Sequence, residues 1–224
     1  MIAEAVYSEV ATYYELVTML PPGAEIVFHN VPWEAYEELL EQVGEASSLR
    51  ISYNDGKLKV MSLSSEHEKY VLFINCLVAQ IRVRLRLNIL FFGSATMRKR
   101  KNTKGNEPDA CFYVQTANVI GNRIHLDFAV DPPPDVVVEV DVHHRSEDND
   151  SIYATLGVAE IWRYDERTLE ILHLHGSEYI HAQASLALPM LTDEILTEYI
   201  TRMKQEGEFV AILAFDEWLQ TLPQ

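Results

Sequence analysis

The chain has 224 residues, 48% of them hydrophobic, enough to bury a sizeable core without disulfides or a structural metal. No apolar run approaches the roughly 20 residues that a membrane-spanning helix needs. Its 34 acids against 18 bases give a net charge of -16, which argues against a broad nucleic-acid-binding surface but leaves room for a locally basic groove around an acidic site.

The N-terminal stretch to about Met19 has helical spacing, lacks the basic start of a signal peptide, and is stopped by Pro21-Pro22-Gly23. Pro32 opens a second helix, WEAYEELLEQV, that Gly44 closes. LRISY and KLKVMS flank Asn54-Asp55-Gly56, a tight hairpin signal because Asp and Gly tolerate positive φ. A capping box of Ser65 with Glu68 predicts the start of a long helix, and Val71, Ile74, Leu77, Val78, Ile81 and Leu85 form its buried stripe. Arg82, Arg84 and Arg86 fall largely off that stripe, as a solvated basic helix end would.

Beyond Asn88 the pattern turns to strands: ILFFG, ATMRKR and DACFYV, then the β-branched run VVVEV that follows Asp135. Tyr153 to Leu156 reads as a short helix capped by Gly157, AEIWRY and TLEILHL as two more strands, and the chain from Asp193 as one or two amphipathic helices anchored by Trp218 and Leu219. The expected architecture is one α/β (α+β) domain with a central mixed sheet flanked by helices. Residues 1–45 form a helical segment packed on a core of 46–182, and 183–224 are a helical extension. Neither a GxGxxG nor a GxxxxGK[ST] loop is present, and no Ser-His-Asp or Cys-His arrangement can be read from the chain. Cys76 and Cys111 do not form a metal-spaced pair, so reduced thiols in a cytoplasmic setting are expected.

Two acids are costly where they stand. Glu139 lies inside VVVEVDV, where a carboxylate needs a partner or a cation, and Asp141 at i+2 shares its face. Asp109 follows Pro108 at the start of another strand. Such carboxylates suit Mg²⁺, which prefers hard oxygen ligands; the plainer alternative is a strand cap at Asp109 and ion pairs with Arg or Lys at Glu139 and Asp141. His143-His144 follow the acidic strand, where a loop role or a proton-carrying one is open. His173 and His175 read as exposed strand residues.

The segments SSEHEKY, GNEPDACFYV, DPPPDVVVEVDV and IYATLGVAEIWRYD, in this order, resemble the signatures of the Uma-type restriction endonuclease family of the PD-(D/E)XK nuclease superfamily. The resemblance runs from about Val31 to Tyr179, more weakly to Trp218. It implies a restriction-endonuclease-like core, Asp109 and Glu139 as ligands of Mg²⁺ (or Mn²⁺), Glu66 or Glu68 as a further helix acid, and DNA as substrate. His67 resembles a recurring family histidine and suits a structural hydrogen bond as well as catalysis. The departure lies in the cation. Asp141 stands where the motif has lysine, and Asn149 stands where relatives carry Lys or Arg. Arg98, Lys99, Arg100 and Lys101 are the candidate substitutes and phosphate contacts, with Arg145 another; a basic edge strand is the alternative for the cluster.

Metal-dependent cleavage of DNA is therefore the expected activity. A catalytically impaired nuclease fold serving as a binding or homodimerisation module is the first alternative, and a hydrolase of small phosphorylated or carbonyl substrates the second.

Overall fold

The computed structural model describes residues 11–44, 48–142 and 145–222. In chain order its elements are α1 (Tyr13–Thr18), β1 (Glu25–Phe28), α2 (Trp33–Val43), β2 (Leu49–Asn54), β3 (Lys57–Ser62), α3 (Ser65–Arg84), β4 (Leu90–Phe91), β5 (Met97–Lys99) and β6 (Lys104–Asn106). They continue with β7 (Ala110–Tyr113), α4 (Ala117–Ile120), β8 (Val136–Val140), α5 (Asp150–Leu156), β9 (Glu160–Tyr164), β10 (Leu169–His175), β11 (Glu178–Ala182), α6 (Asp193–Glu206) and α7 (Glu208–Thr221).

Among the described residues the strands form two sheets, the expected mixed one and an additional antiparallel one. The first runs β1-β3-β2-β6-β5 and is antiparallel throughout; the second runs β11-β10-β9-β8-β7-β4 and is mixed, because β8 and β9 are parallel. The β2–β3 hairpin closes through Asp55 (φ 47) and Gly56 (φ 89), two left-handed residues as a two-residue turn requires. Its alternation is clean. Leu49, Ile51, Tyr53, Leu58 and Val60 are buried under α1 and α2, while Arg50, Ser52, Lys57 and Lys59 take the opposite face. Gly105 on β6 is needed for close approach: a Cβ there would sit 2.8 Å from Tyr36 Cζ and closer still to its hydroxyl.

The second sheet carries a core on each face. Alternate residues of β7, β8 and β9 (Ala110, Phe112, Val136, Val138, Trp162 and Tyr164) pack under α3, α6 and α7. Cys111, Val137 and Ile161 face the other way, against Ile152, Tyr153 and Leu156 of α5. The chain passes between the sheets once in a way that matters for the site: β6 belongs to the first, β7 to the second, and Asn106-Glu107-Pro108-Asp109 span the junction. Pro108 cannot donate to a ladder, which suits a strand leaving one sheet for another.

Several expectations need correction. The N-cap of α3 is Ser64, whose side chain accepts from His67 N at 3.2 Å, so Glu68 is not a capping-box partner. Residues 25–28 add a strand to the segment expected to be helical, and β6 and β11 were not anticipated. His143 and His144 lie outside the described residues, as do residues 1–10. Among the described residues no helix is long and apolar enough to cross a membrane.

Candidate functional site

The antiparallel register of β7 with β8 pairs Ala110 with Val138, and Asp109 N donates to Val138 O at 3.1 Å, so the next step of the ladder sets Asp109 opposite Glu139. Cross-strand partners share a face. Both acids are buried (Asp109 4% exposed, Glu139 6%) and line one small cavity of about 30 Å³ at the sheet junction, together with Arg50, Lys59, Asn106, Glu107, Asp141, Arg145 and Asn149.

Asp109 is held from three sides. Its Oδ2 accepts from Val140 N at 2.8 Å and lies 3.0 Å from His67 Nε2, while its Oδ1 lies 3.3 Å from Arg50 Nε. The Arg50 and His67 nitrogens are buried without an aligned hydrogen bond. Glu139 Oε1 accepts from the Tyr153 hydroxyl and from Asn106 Nδ2 at 3.3 Å, and Asn106 also donates to Tyr153. Burial first, and the Asp109 charge second, push the Glu139 carboxyl up to about 8, against the lowering effect of the Tyr153 hydrogen bond. The Tyr153 phenol is driven far up by burial and by Glu139 itself, so it stays a neutral donor.

Asp141 shares the face of Glu139 but turns to other partners. Its Oδ2 accepts from Ser146 N at 3.0 Å and lies 3.8 Å from Arg163 Nε, and burial raises its pKa. The parallel register pairs Arg163 of β9 with Glu139, placing a buried guanidinium beside the acidic strand. Arg163 Nε donates to Ser146 Oγ at 3.0 Å, and its terminal nitrogens pair with Asp150.

Basic side chains other than those of residues 98–101 lie close to the carboxylates. Arg50, from the polar face of the hairpin, touches Asp109; Arg163 lies beside Glu139; Lys59 lines the same cavity. The 98–101 cluster does not meet the carboxylates: Arg98 and Lys101 are exposed, Lys99 Nζ donates to Leu156 O at 3.2 Å, and Arg100 pairs with Glu34 and Glu37 of α2. Glu66 is exposed and outside the cavity; from the same helical turn it is His67 that reaches Asp109. Glu68 sits 3.7 Å from Arg50. Glu107, not anticipated, accepts from Thr96 Oγ1 at 2.6 Å and Ile51 N at 3.0 Å, ties that extend the β5–β6–β2 side of the first sheet to the cavity wall.

Asp109 and Glu139 offer hard oxygen donors to one cavity, and the upward shift of Glu139 registers a charge that its surroundings leave under-compensated. Both features fit a Mg²⁺ ion, which takes one or two carboxylates and keeps several waters. Among the described residues no group of three or more His, Cys, Asp or Glu side chains is placed to hold a metal.

None of the curated proteins matches the chain. Among solved structures, one described as a "putative nuclease belonging to DUF820 from Anabaena variabilis" aligns with 13% identity over 72% of this chain and 96% of that one, at a TM-score of 0.47. A family model described as "Putative restriction endonuclease", Uma2, matches residues 33–201, a span that holds Asp109, Glu139, Arg50, His67 and Arg163. The chain belongs to the Uma2 family.

Proposed function

We propose that the chain hydrolyses phosphodiester bonds of DNA with a Mg²⁺ or Mn²⁺ ion held by Asp109 and Glu139. The observation that carries this reading is the facing pair of buried carboxylates, one of them driven toward neutrality by burial and by the other. Family membership supports a nuclease-type activity. When bound, the ion supplies charge compensation at the phosphoryl group and acidifies water.

The chain's own groups do the rest. Val140 N and His67 fix the Asp109 carboxylate, and Asn106 and Tyr153 orient Glu139. Arg50 takes the task of the absent motif lysine, since its guanidinium lies beside Asp109 at the cavity and its buried Nε has no aligned hydrogen bond. A preorganised donor of this kind is worth about 3 kcal/mol to the transition state. Arg163, bound to Asp141, Asp150 and Ser146, acts by holding the acidic strand rather than by contact.

Arg50 and His67 also favour a second reading. Arg50 offsets the Asp109 charge without any ion, and His67 lies 3.0 Å from the same carboxylate, as an impaired nuclease fold kept for binding or assembly would require. Plasmid nicking separates the two. The parent is expected to relax supercoiled DNA with Mg²⁺ or Mn²⁺ and to stop with EDTA, and Asp109→Asn is expected to lose at least ~10²-fold in rate. Equal rates in parent and variant would remove the proposed site, and an inactive parent would favour the second reading.

A further inference from the structure

A cleft of about 330 Å³ runs from the carboxylate cavity along the polar face of the β2–β3 hairpin, walled on the other side by residues 148–152. It adjoins the cavity, and Ser52, Lys59 and Asn149 line both. The hairpin register sets Lys59 opposite Ser52 and Lys57 opposite Asn54, so the two lysines follow one another outward on one face. Strand geometry spaces them by roughly 7 Å, the scale of one nucleotide step along a backbone.

The outer lysine is already holding an anion. Lys57 Nζ pairs with Asp148 at 2.7 Å across the cleft, and Asn54 Nδ2 donates to Ser151 Oγ at 3.2 Å beside it. These contacts join residues about ninety positions apart in sequence and bridge the cleft where it opens. Lys59 lies deeper, its side chain 13% exposed, 3.8 Å from Glu25 and 3.5 Å from the Arg145 carbonyl. In a chain of net charge -16 this row sets two lysines along the cleft toward the proposed metal pair, each within reach of one acid that a phosphate would replace.

We propose that Lys59 and Lys57 contact successive phosphates of the bound strand, and that Asp148 occupies the place of the outer phosphate until substrate displaces it. The proposal rests on the nuclease reading and sharpens it, since it moves phosphate contact from the 98–101 cluster to the hairpin. Asp148 thereby competes with substrate for the outer lysine, and because an exposed ion pair is worth little, a polyanion displaces it readily.

The test is fluorescence anisotropy of a labelled DNA oligonucleotide, single-stranded and duplex, titrated with the full chain in Ca²⁺ over a series of salt concentrations; the tighter-binding form is carried forward. Lys57→Gln and Lys59→Gln are each expected to weaken binding several-fold and to lower the slope of log K against log salt by ~1, as loss of one phosphate contact does. Asp148→Asn is expected to tighten binding several-fold. A merely structural role would change the affinity but not the salt slope. Unchanged slopes in both lysine variants overturn the cleft assignment, as does a slope loss that appears instead in Arg98→Gln or Lys101→Gln. Either outcome leaves the nuclease reading standing. A parent and an Asp148→Asn variant that bind neither form of DNA would remove that reading as well.

Discussion

Glu139→Gln is expected to lower metal-dependent nicking by ~10²-fold or more while making the metal-free protein more stable than its parent at pH 8. The two effects have one cause. Glu139 is buried opposite Asp109, and its carboxyl is raised from the ordinary value of 4.5 to about 8 by burial and by that neighbour. Between those values the folded protein holds a proton that the unfolded chain releases, so folding stability falls as pH rises through this window. The slope is at most about 1.4 kcal/mol per pH unit for one group. Glutamine keeps an acceptor for Tyr153 and Asn106 but cannot ionise, so the variant escapes the loss. Urea denaturation in EDTA should show the two proteins matched near pH 5 and diverging in favour of Glu139→Gln toward pH 8, and Mg²⁺ should raise the midpoint of the parent alone. A variant less stable than the parent at pH 8 would mean that the ionised carboxylate is held by the fold itself and needs no ion.

The largest loss of stability is expected at Arg163. Arg163 is 7% exposed, its guanidinium meets Asp141, Asp150 and Ser146, and its strand partner is Glu139. Removing one partner from a buried charge network leaves the others uncompensated, at about 3–5 kcal/mol. Arg163→Met should therefore cost about this much in urea denaturation at pH 7. Protonation of the stranded acids should recover part of the loss at low pH. Adding Asp150→Asn to Arg163→Met should recover part of it at pH 7, because the two residues act as a unit. A cost below about 1 kcal/mol would place Arg163 among the solvated ion pairs, against its burial.

How much of this was legible in the sequence depends on whether the cause is local. The hairpin turn at Asp55-Gly56, the C-cap at Gly44 and the buried stripe of α3 follow from residue-level preferences, and the structure has them. The misplaced cap is a near miss. Ser64 and Ser65 are adjacent, both are good capping residues, and only the extended backbone of Ser64 (φ -98, ψ 159) decides between them. β1 (EIVF), β6 (KGN) and β11 (EYIHA) escaped because they are short, weakly patterned and held by their neighbours' ladders.

The site divides along the same line. Glu139 drew attention because a carboxylate in VVVEV is locally anomalous, and the PD element pointed to Asp109. Their placement opposite one another needs only the β7–β8 register. The cations needed more. Alternation in LRISYN already puts Arg50 on the polar face of the hairpin, yet nothing in that segment says the face turns toward the end of β8. That follows from β6 pairing with β2 and then crossing at Pro108 into the second sheet. Arg163 in EIWRY is as anomalous as Glu139, a charge inside a buried strand, and asking what it pairs with would have found it. The density of basic residues at 98–101 was the more conspicuous signal, but it belongs to a sheet edge whose Arg100 is engaged by the acids of α2.

Whether the Asp109–Glu139 pair takes a divalent ion is measured directly by calorimetric titration of Mn²⁺ into the metal-free protein, in two buffers of different ionisation enthalpy at pH 7. Because Glu139 holds its proton up to about pH 8, the parent should bind about one ion and release close to one proton per ion. Its affinity should rise with pH until that proton is gone, and Glu139→Gln should show no such binding. A parent that gives no binding heat, or a Glu139→Gln variant that binds Mn²⁺ as the parent does, would contradict the proposed metal site.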